Sequence, residues 1–377
     1  MRNIIKSILL ALLVLLSPNF IHASKQAKMA KKSGEIRIKD VSPHKTLNLN
    51  YNYGEMELVF WDKNEIVLKY DECVRASSQK RADEILQQRI AIKSTEGCYF
   101  RVGNADDSSV SFNSKWTVYV PSHISSVAAY NSFGNITVGK GFPGLIRIDV
   151  QNGDVNIPET KAMCVVEVTH GNFYVGNAAY LNMTTKHANG TISFAQTLKV
   201  QAEHADFCKI DKADVMTINS KHSKIKVGNV GQLSSQGSYS TLEVNELSGL
   251  ANIRDMQHST IEMDKFLGKL DATDLSYSKL NITISKFNHT PFIMVTDLDY
   301  TDVKVKLPAS LRTSTYVNSK GSCRSISSGT AKIKSSAPWS SPNGISSHVF
   351  QNTESFTPNS LIDINNESYG TILIEEY

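Results

Sequence analysis

Glu243 and Glu262 stand 19 residues apart, each between apolar neighbours in Leu-Glu-Val at 242–244 and Ile-Glu-Met at 261–263. If one turn of a stacked coil takes that many residues, their carboxylates fall ~5 Å apart. A retaining glycosidase sets its nucleophile and its acid/base at that separation. A second set follows the same period. His204, His222, Tyr239, His258, Tyr277 and Tyr300 each precede a small residue, in a column that also takes in Phe133, Asn152, His170 and Asn189. Such a row is a candidate ligand-binding strip, stacking sugars on its rings or holding a metal through its imidazoles. Both sets also have a plainer explanation. Lys226 precedes the two glutamates in their column and Lys304 follows later, as on an ordinary solvated face. Rings repeated turn after turn form a structural ladder, whereas ligand sites draw on different elements. The plainer explanations are adopted: no catalytic site, no metal site and no cofactor.

The elements that would position these residues are written in one recurring phrase. An aromatic residue, His or Asn comes first, then a small residue, then any residue, then an apolar–any–apolar triplet. It reads FGNITV at 133–138, NGDVNI at 152–157, HGNFYV at 170–175, NGTISF at 189–194 and HSKIKV at 222–227. YSTLEV at 239–244, HSTIEM at 258–263, YSKLNI at 277–282 and YTDVKV at 300–305 continue it, and HADFCKI at 204–210 is a copy bulged by one residue. The small residues recur at intervals of mostly 17 to 19, with one of 15 and one of 23. A short fixed period with two-residue alternation inside each copy is the signature of a β-solenoid. The expected fold is therefore all-β, with rungs of about 19 residues. One segment departs from it: QKRADEILQQRI at 79–90 places Ala82, Ile85, Leu86 and Ile90 on one helical face behind Ser78 as N-cap. This single short helix is expected to cover the open N-terminal end of the solenoid, whose strand edge would otherwise invite aggregation.

Composition bounds the rest. Residues 1–23 read as a cleaved signal peptide, with Arg2 and Lys6 ahead of the apolar run Ile8–Leu16, so the chain is expected to be exported. Residues 24–45 then read as a flexible N-terminal segment with a lysine cluster. N-terminal strands and the helix occupy 46–120, the repeats 121–310, and loop-rich rungs with a closing strand, YGTILI at 369–374, occupy 311–377. The formal charge of +4 falls to +2 without Arg2 and Lys6 (4 − 2). No basic stripe interleaved with aromatics is present, which argues against nucleic acid as partner. No second long apolar run suggests a transmembrane segment. Five cysteines, Cys73, Cys98, Cys164, Cys208 and Cys323, show no metal-ligand spacing and read as free, partly buried thiols. Cys73 with Cys98 is the one pairing worth weighing.

YGEMELVFWDKNEIVL, ADEILQQRIAI, WTVYVP, YNSFGNITV and SYGTILI together resemble the putative-adhesin domain family of unknown function, similar to the head GIN adhesin domains of exported bacterial proteins. The resemblance spans about Tyr51 to Tyr377 and rests on structural repeats. It implies a right-handed parallel β-helix without enzymatic activity, and it brings no ligand-binding residues to transfer. The expected function is a structural or surface-interaction role, as a putative adhesin, in the periplasm, on the cell surface or after secretion. Its partners would be an envelope polymer, a glycan or another surface protein. The alternative is a carbohydrate-active enzyme or a glycan-binding module on the solenoid face.

Overall fold

The computed structural model describes residues 27–43, 45–90, 93–95, 99–102, 111–285, 292–308, 310–311, 314–319, 322–327, 334–335, 339–340, 346–351, 361–366 and 368–377. The expected signal peptide lies outside these residues, as does Cys98.

The repeats stack as a parallel β-solenoid. Each rung supplies two strands, and a corner at the ring-bearing residue separates them. Before the corner, Leu198, Met216, Leu233, Ala251, Leu270 and Ile293 pair in register. After it, Ile210, Val227, Val244, Met263, Ile282 and Val305 do the same. All twelve are buried in one continuous core that runs from Val41 to Ile374. The alternation in the sequence dictates this arrangement, because successive side chains of a strand point to opposite faces. In Thr260–Phe266, Ile261 and Met263 are buried while Glu262 between them is exposed. Ile261→Ala is expected to cost about 3 kcal/mol through lost burial and a residual cavity. Glu262→Ala next door should stay within about 0.5 kcal/mol. Equal urea midpoints for the two variants would break the register.

At both ends the rungs stack out of chain order. At the N-terminal end, Thr46–Tyr51 lies between Tyr99–Val102 and Ser126–Asn131. Glu55–Trp61 likewise lies between Ser111–Pro121 and Ile136–Val138. The other end repeats the device. Leu361–Asn366 is inserted between Phe292–Asp299 and Ser314–Ser319, and Thr371–Glu376 between Asp302–Leu307 and Ser322–Ser327. The YGTILI copy is thus a penultimate rung rather than the outermost closing strand. An inserted strand satisfies backbone groups on both of its edges, which an end strand cannot do.

Beyond the first rung the sheet turns antiparallel. Ser111–Pro121 pairs with Glu65–Ala76, which pairs along its length with Lys28–Lys39. The segment 24–45 was expected to be flexible; it contains this 12-residue strand instead. Lys28, Lys31 and Lys32 of the lysine cluster lie in this strand, where charge discourages further strand pairing. Helix α1 (Gln79–Ile90) forms where the helical spacing places it. The Ser78 Oγ accepts the Arg81 N–H at 3.2 Å, an N-cap bond. Its Ala82, Ile85 and Leu86 pack on Ala30, Val74 and Ala76.

Candidate functional site

At each corner from His170 to Tyr300 the ring-bearing residue adopts a left-handed backbone, with φ from 45° at Tyr300 to 57° at His170. Non-glycine residues are uncommon there, and histidine is among those enriched. Turning every corner the same way stacks the rings. His170, His187, His204, His222, Tyr239, His258, Tyr277 and Tyr300 lie face to face with centroids 4.8–5.0 Å apart and planes within 15°. The eight rings form a row about 34 Å long, and all are exposed. Tyr369 of the inserted rung extends it, tilted, at 6.0 Å. His204, His222, Tyr239, His258, Tyr277 and Tyr300 therefore do share one column.

One member differs from the expectation. His187, not Asn189, fills the place between His170 and His204. Asn189-Gly190 satisfies the phrase by coincidence, because Gly190 pairs with Cys208 inside the next strand. The copy is His187-Ala188 at regular length, Gly190 taking the place three residues on that Cys208 takes after one extra residue, and the anomalous interval of 15 disappears. The shared His-Ala dipeptide was the signal available in the sequence. Phe133 belongs to a separate block, stacked on Tyr53 at 4.8 Å, which stacks on Phe112 at 4.9 Å.

The chemistry open to the row follows from its geometry. Within it the ring faces cover one another, so what reaches solvent is a line of polar edges, unsuited to stacking sugars along its length. Nor do neighbouring rings suit a shared metal ion. Two Zn–N bonds of ~2.0–2.1 Å reach at most ~4.2 Å, and equivalent atoms of parallel rings stand farther apart than that. Among the described residues no three metal-ligating side chains come together.

Beneath the rings runs a second ladder. The buried Ser223, Ser240, Ser259, Ser278 and Thr301 follow the ring residues. Each hydroxyl accepts the backbone N–H of its counterpart one rung earlier, at 3.1–3.3 Å. Each also donates to the carbonyl two residues before it, across the corner, at 2.8–3.0 Å. In this half the small residue is selected for its hydroxyl as well as its size. In the earlier half alanine serves at 188 and 205 and glycine before them, as at Gly134 (φ 132°), where a Cβ would strike the Gly54 carbonyl. Ser259→Ala leaves the buried Ser240 N–H without its hydroxyl acceptor, while the Gln257 carbonyl keeps the Tyr239 N–H at 2.8 Å, an expected loss of about 1–3 kcal/mol. Ser259→Thr, the residue used at 301, should recover most of it in urea titrations. Equal stability of the Ala and Thr variants would remove the hydroxyl's role.

Glu243 and Glu262 are register partners on adjacent strands. Lys224 and Lys226 donate to the two oxygens of Glu243 at 2.7 and 2.8 Å. Those two hydrogen bonds hold the Glu243 carboxyl below its ordinary range. A glycosidase acid needs the opposite shift. Glu262 is exposed on a shallow groove shared with Asp264, Asn281, Thr283, Lys304 and Lys306.

Two fully buried charges meet at the N-terminal cap, where no periodic pattern in the sequence marks them. Glu72 and Arg89 are fully buried, and Arg89 Nε donates to Glu72 Oε2 at 2.9 Å. Trp116 Nε1 donates to Glu72 Oε1 at 2.5 Å, and Ser114 Oγ donates to Oε2. Arg89 Nη2 reaches the Asn52 and Tyr53 carbonyls at 2.9 and 3.0 Å, and its guanidinium lies 4.4 Å from the Phe112 ring centre. The Tyr51 hydroxyl points at Glu72 from 3.5 Å. Burial, then the Glu72 charge, raises the Tyr51 pKa well above the phenol range. This network bolts α1 to the solenoid. Cys73, Cys164 and Cys208 are free and buried, and burial pushes the Cys164 and Cys208 thiols up to about 12.

Fold and site define the class: a parallel β-solenoid with an exposed ring ladder on one corner and a bolted N-terminal cap. No family model matches the chain, and no curated protein matches it. Among solved structures, a putative cell adhesion protein from Clostridium sporogenes is similar over 92% of this chain and 100% of that one. Its identity is 9% and its TM-score 0.21, a likeness that carries no argument about this chain. Among the described residues no helix is long and apolar enough to cross a membrane.

Proposed function

We propose that this chain is an exported, non-catalytic solenoid that presents a surface for interaction, an adhesin-type role in keeping with the family it resembles. The observation that carries this reading is the ladder. A row of exposed rings about 34 Å long on a continuous core is a fixed, extended contact line rather than a pocket around one reacting centre. The clamping of Glu243 by two lysines suits a charged surface face and disfavours that carboxyl as the acid of a catalytic pair. An envelope polymer, a glycan or another surface protein is the partner class in view. The test joins a glycan array to a polysaccharide-depolymerisation assay. Retention without turnover supports the reading. Turnover that disappears in Glu243→Gln/Glu262→Gln, with folding intact, replaces it by a carbohydrate-active enzyme. No retention of any glycan or envelope polymer reduces the role to a structural one.

A further inference from the structure

We propose that His170, His187, His204 and His222 form an acid-dependent binding strip for a linear anionic polysaccharide, one bearing a carboxylate or sulfate at about the spacing of the rungs. The inference rests on the surface-interaction reading and adds a partner class and a condition to it.

These four are consecutive in the ladder, 4.8–4.9 Å apart, with planes within 9°. All are exposed, and among the described residues no protein group hydrogen-bonds to their ring nitrogens. The strip is bounded by Asn152 in the neighbouring corner on one side and by Tyr239 on the other. The charged side chains on the strands entering and leaving these corners nearly cancel. Lys186 pairs with Glu203 at 3.9 Å and Lys209 with Asp211 at 2.6 Å, and Lys224 and Lys226 share Glu243; Lys161, Lys199, Lys212 and Lys221 stand against Glu159, Glu167, Asp206 and Asp214, a net +1 (8 − 7). The imidazoles therefore decide how strongly positive this edge becomes. Imidazole is the side chain that gains charge as pH falls through the range just below neutrality. Four such charges at one rung spacing repel one another, and a parallel row of anions relieves that repulsion. Binding and proton uptake are then linked, so affinity rises as pH falls. The tyrosine-bearing half of the ladder holds a single imidazole, His258, between Tyr239 and Tyr277, and has no row of such charges.

The probe is fluorescein-labelled oligogalacturonate, titrated with the intact protein at ~pH 7.5 and ~pH 5.5 at one ionic strength, with labelled dextran as the uncharged control. Affinity is expected to rise at least about tenfold on acidification. His187→Tyr/His204→Tyr/His222→Tyr should cut that gain to about twofold or less. Its melting temperature should be kept, because tyrosine fills the same corner at 239, 277 and 300. If the triple variant unfolds, His204→Tyr alone must still reduce the gain. Binding indifferent to pH, an undiminished gain in the variants, or an equal gain for dextran overturns the proposal. Neutral-glycan retention on the array alongside any of those outcomes sinks this strip and leaves the surface-interaction reading standing. Failure of both sinks the two together.

Discussion

Arg89→Met is expected to cost about 3–5 kcal/mol, because it leaves the Glu72 carboxylate buried without its counter-charge. Both side chains are fully buried, so no solvent screens the loss. Arg81→Met, two turns earlier on α1, breaks an exposed pair with Glu84 at 3.8 Å and should cost less than about 0.5 kcal/mol. Glu72→Met/Arg89→Met should lose less than the sum of the single variants, because the two residues share one network. Urea unfolding followed by tryptophan fluorescence is the measurement, with Trp116 donating directly to Glu72. Equal costs for the Arg89 and Arg81 variants would show that the bolt contributes nothing beyond a surface pair. The expected phenotype of its loss is local: α1 and the Lys28–Lys39 strand detach while the distant rungs persist, since a solenoid's stability is a sum of neighbour contacts.

Deleting residues 361–377 is expected to release the rung on their far side as well. Ile362, Ile364, Ile372 and Ile374 are fully buried, which represents roughly 6–12 kcal/mol of local burial. Without them Ser314–Ser319 and Ser322–Ser327 lose their partners toward the solenoid. Hydrogen exchange should show protection lost over 314–327, weakened over 292–307, and unchanged over 208–266. A strand that merely closed the end would leave 314–327 protected when removed, and that outcome would refute the inserted order.

Much of this was legible in the chain. The alternation in HSTIEM and YSTLEV fixed which residues face inward, because the two-residue period of a strand leaves no other choice. The recurrence of His204, His222, Tyr239, His258, Tyr277 and Tyr300 announced a column, and Ser78 announced the helix start. His187 was missed because a motif of small size tolerates a two-residue slip. Only the pairing of Gly190 with Cys208 removes the ambiguity. The Glu72–Arg89 bolt was invisible for a different reason: a lone Glu and a lone Arg 17 residues apart carry no periodic signal.

Local chemistry set the repeat, the inward faces, the corner residues and the cap helix, since each depends on neighbours within a few residues. Tertiary structure alone decided the order of rungs at the two ends. It also decided that Lys224 and Lys226 would claim Glu243, and that the rings would cover one another's faces and offer their edges. Those outcomes depend on which segments lie side by side across tens of residues. Strand pairing is nearly indifferent to where in the chain a compatible strand comes from, so the inserted rungs follow from burial and edge satisfaction rather than from sequence order.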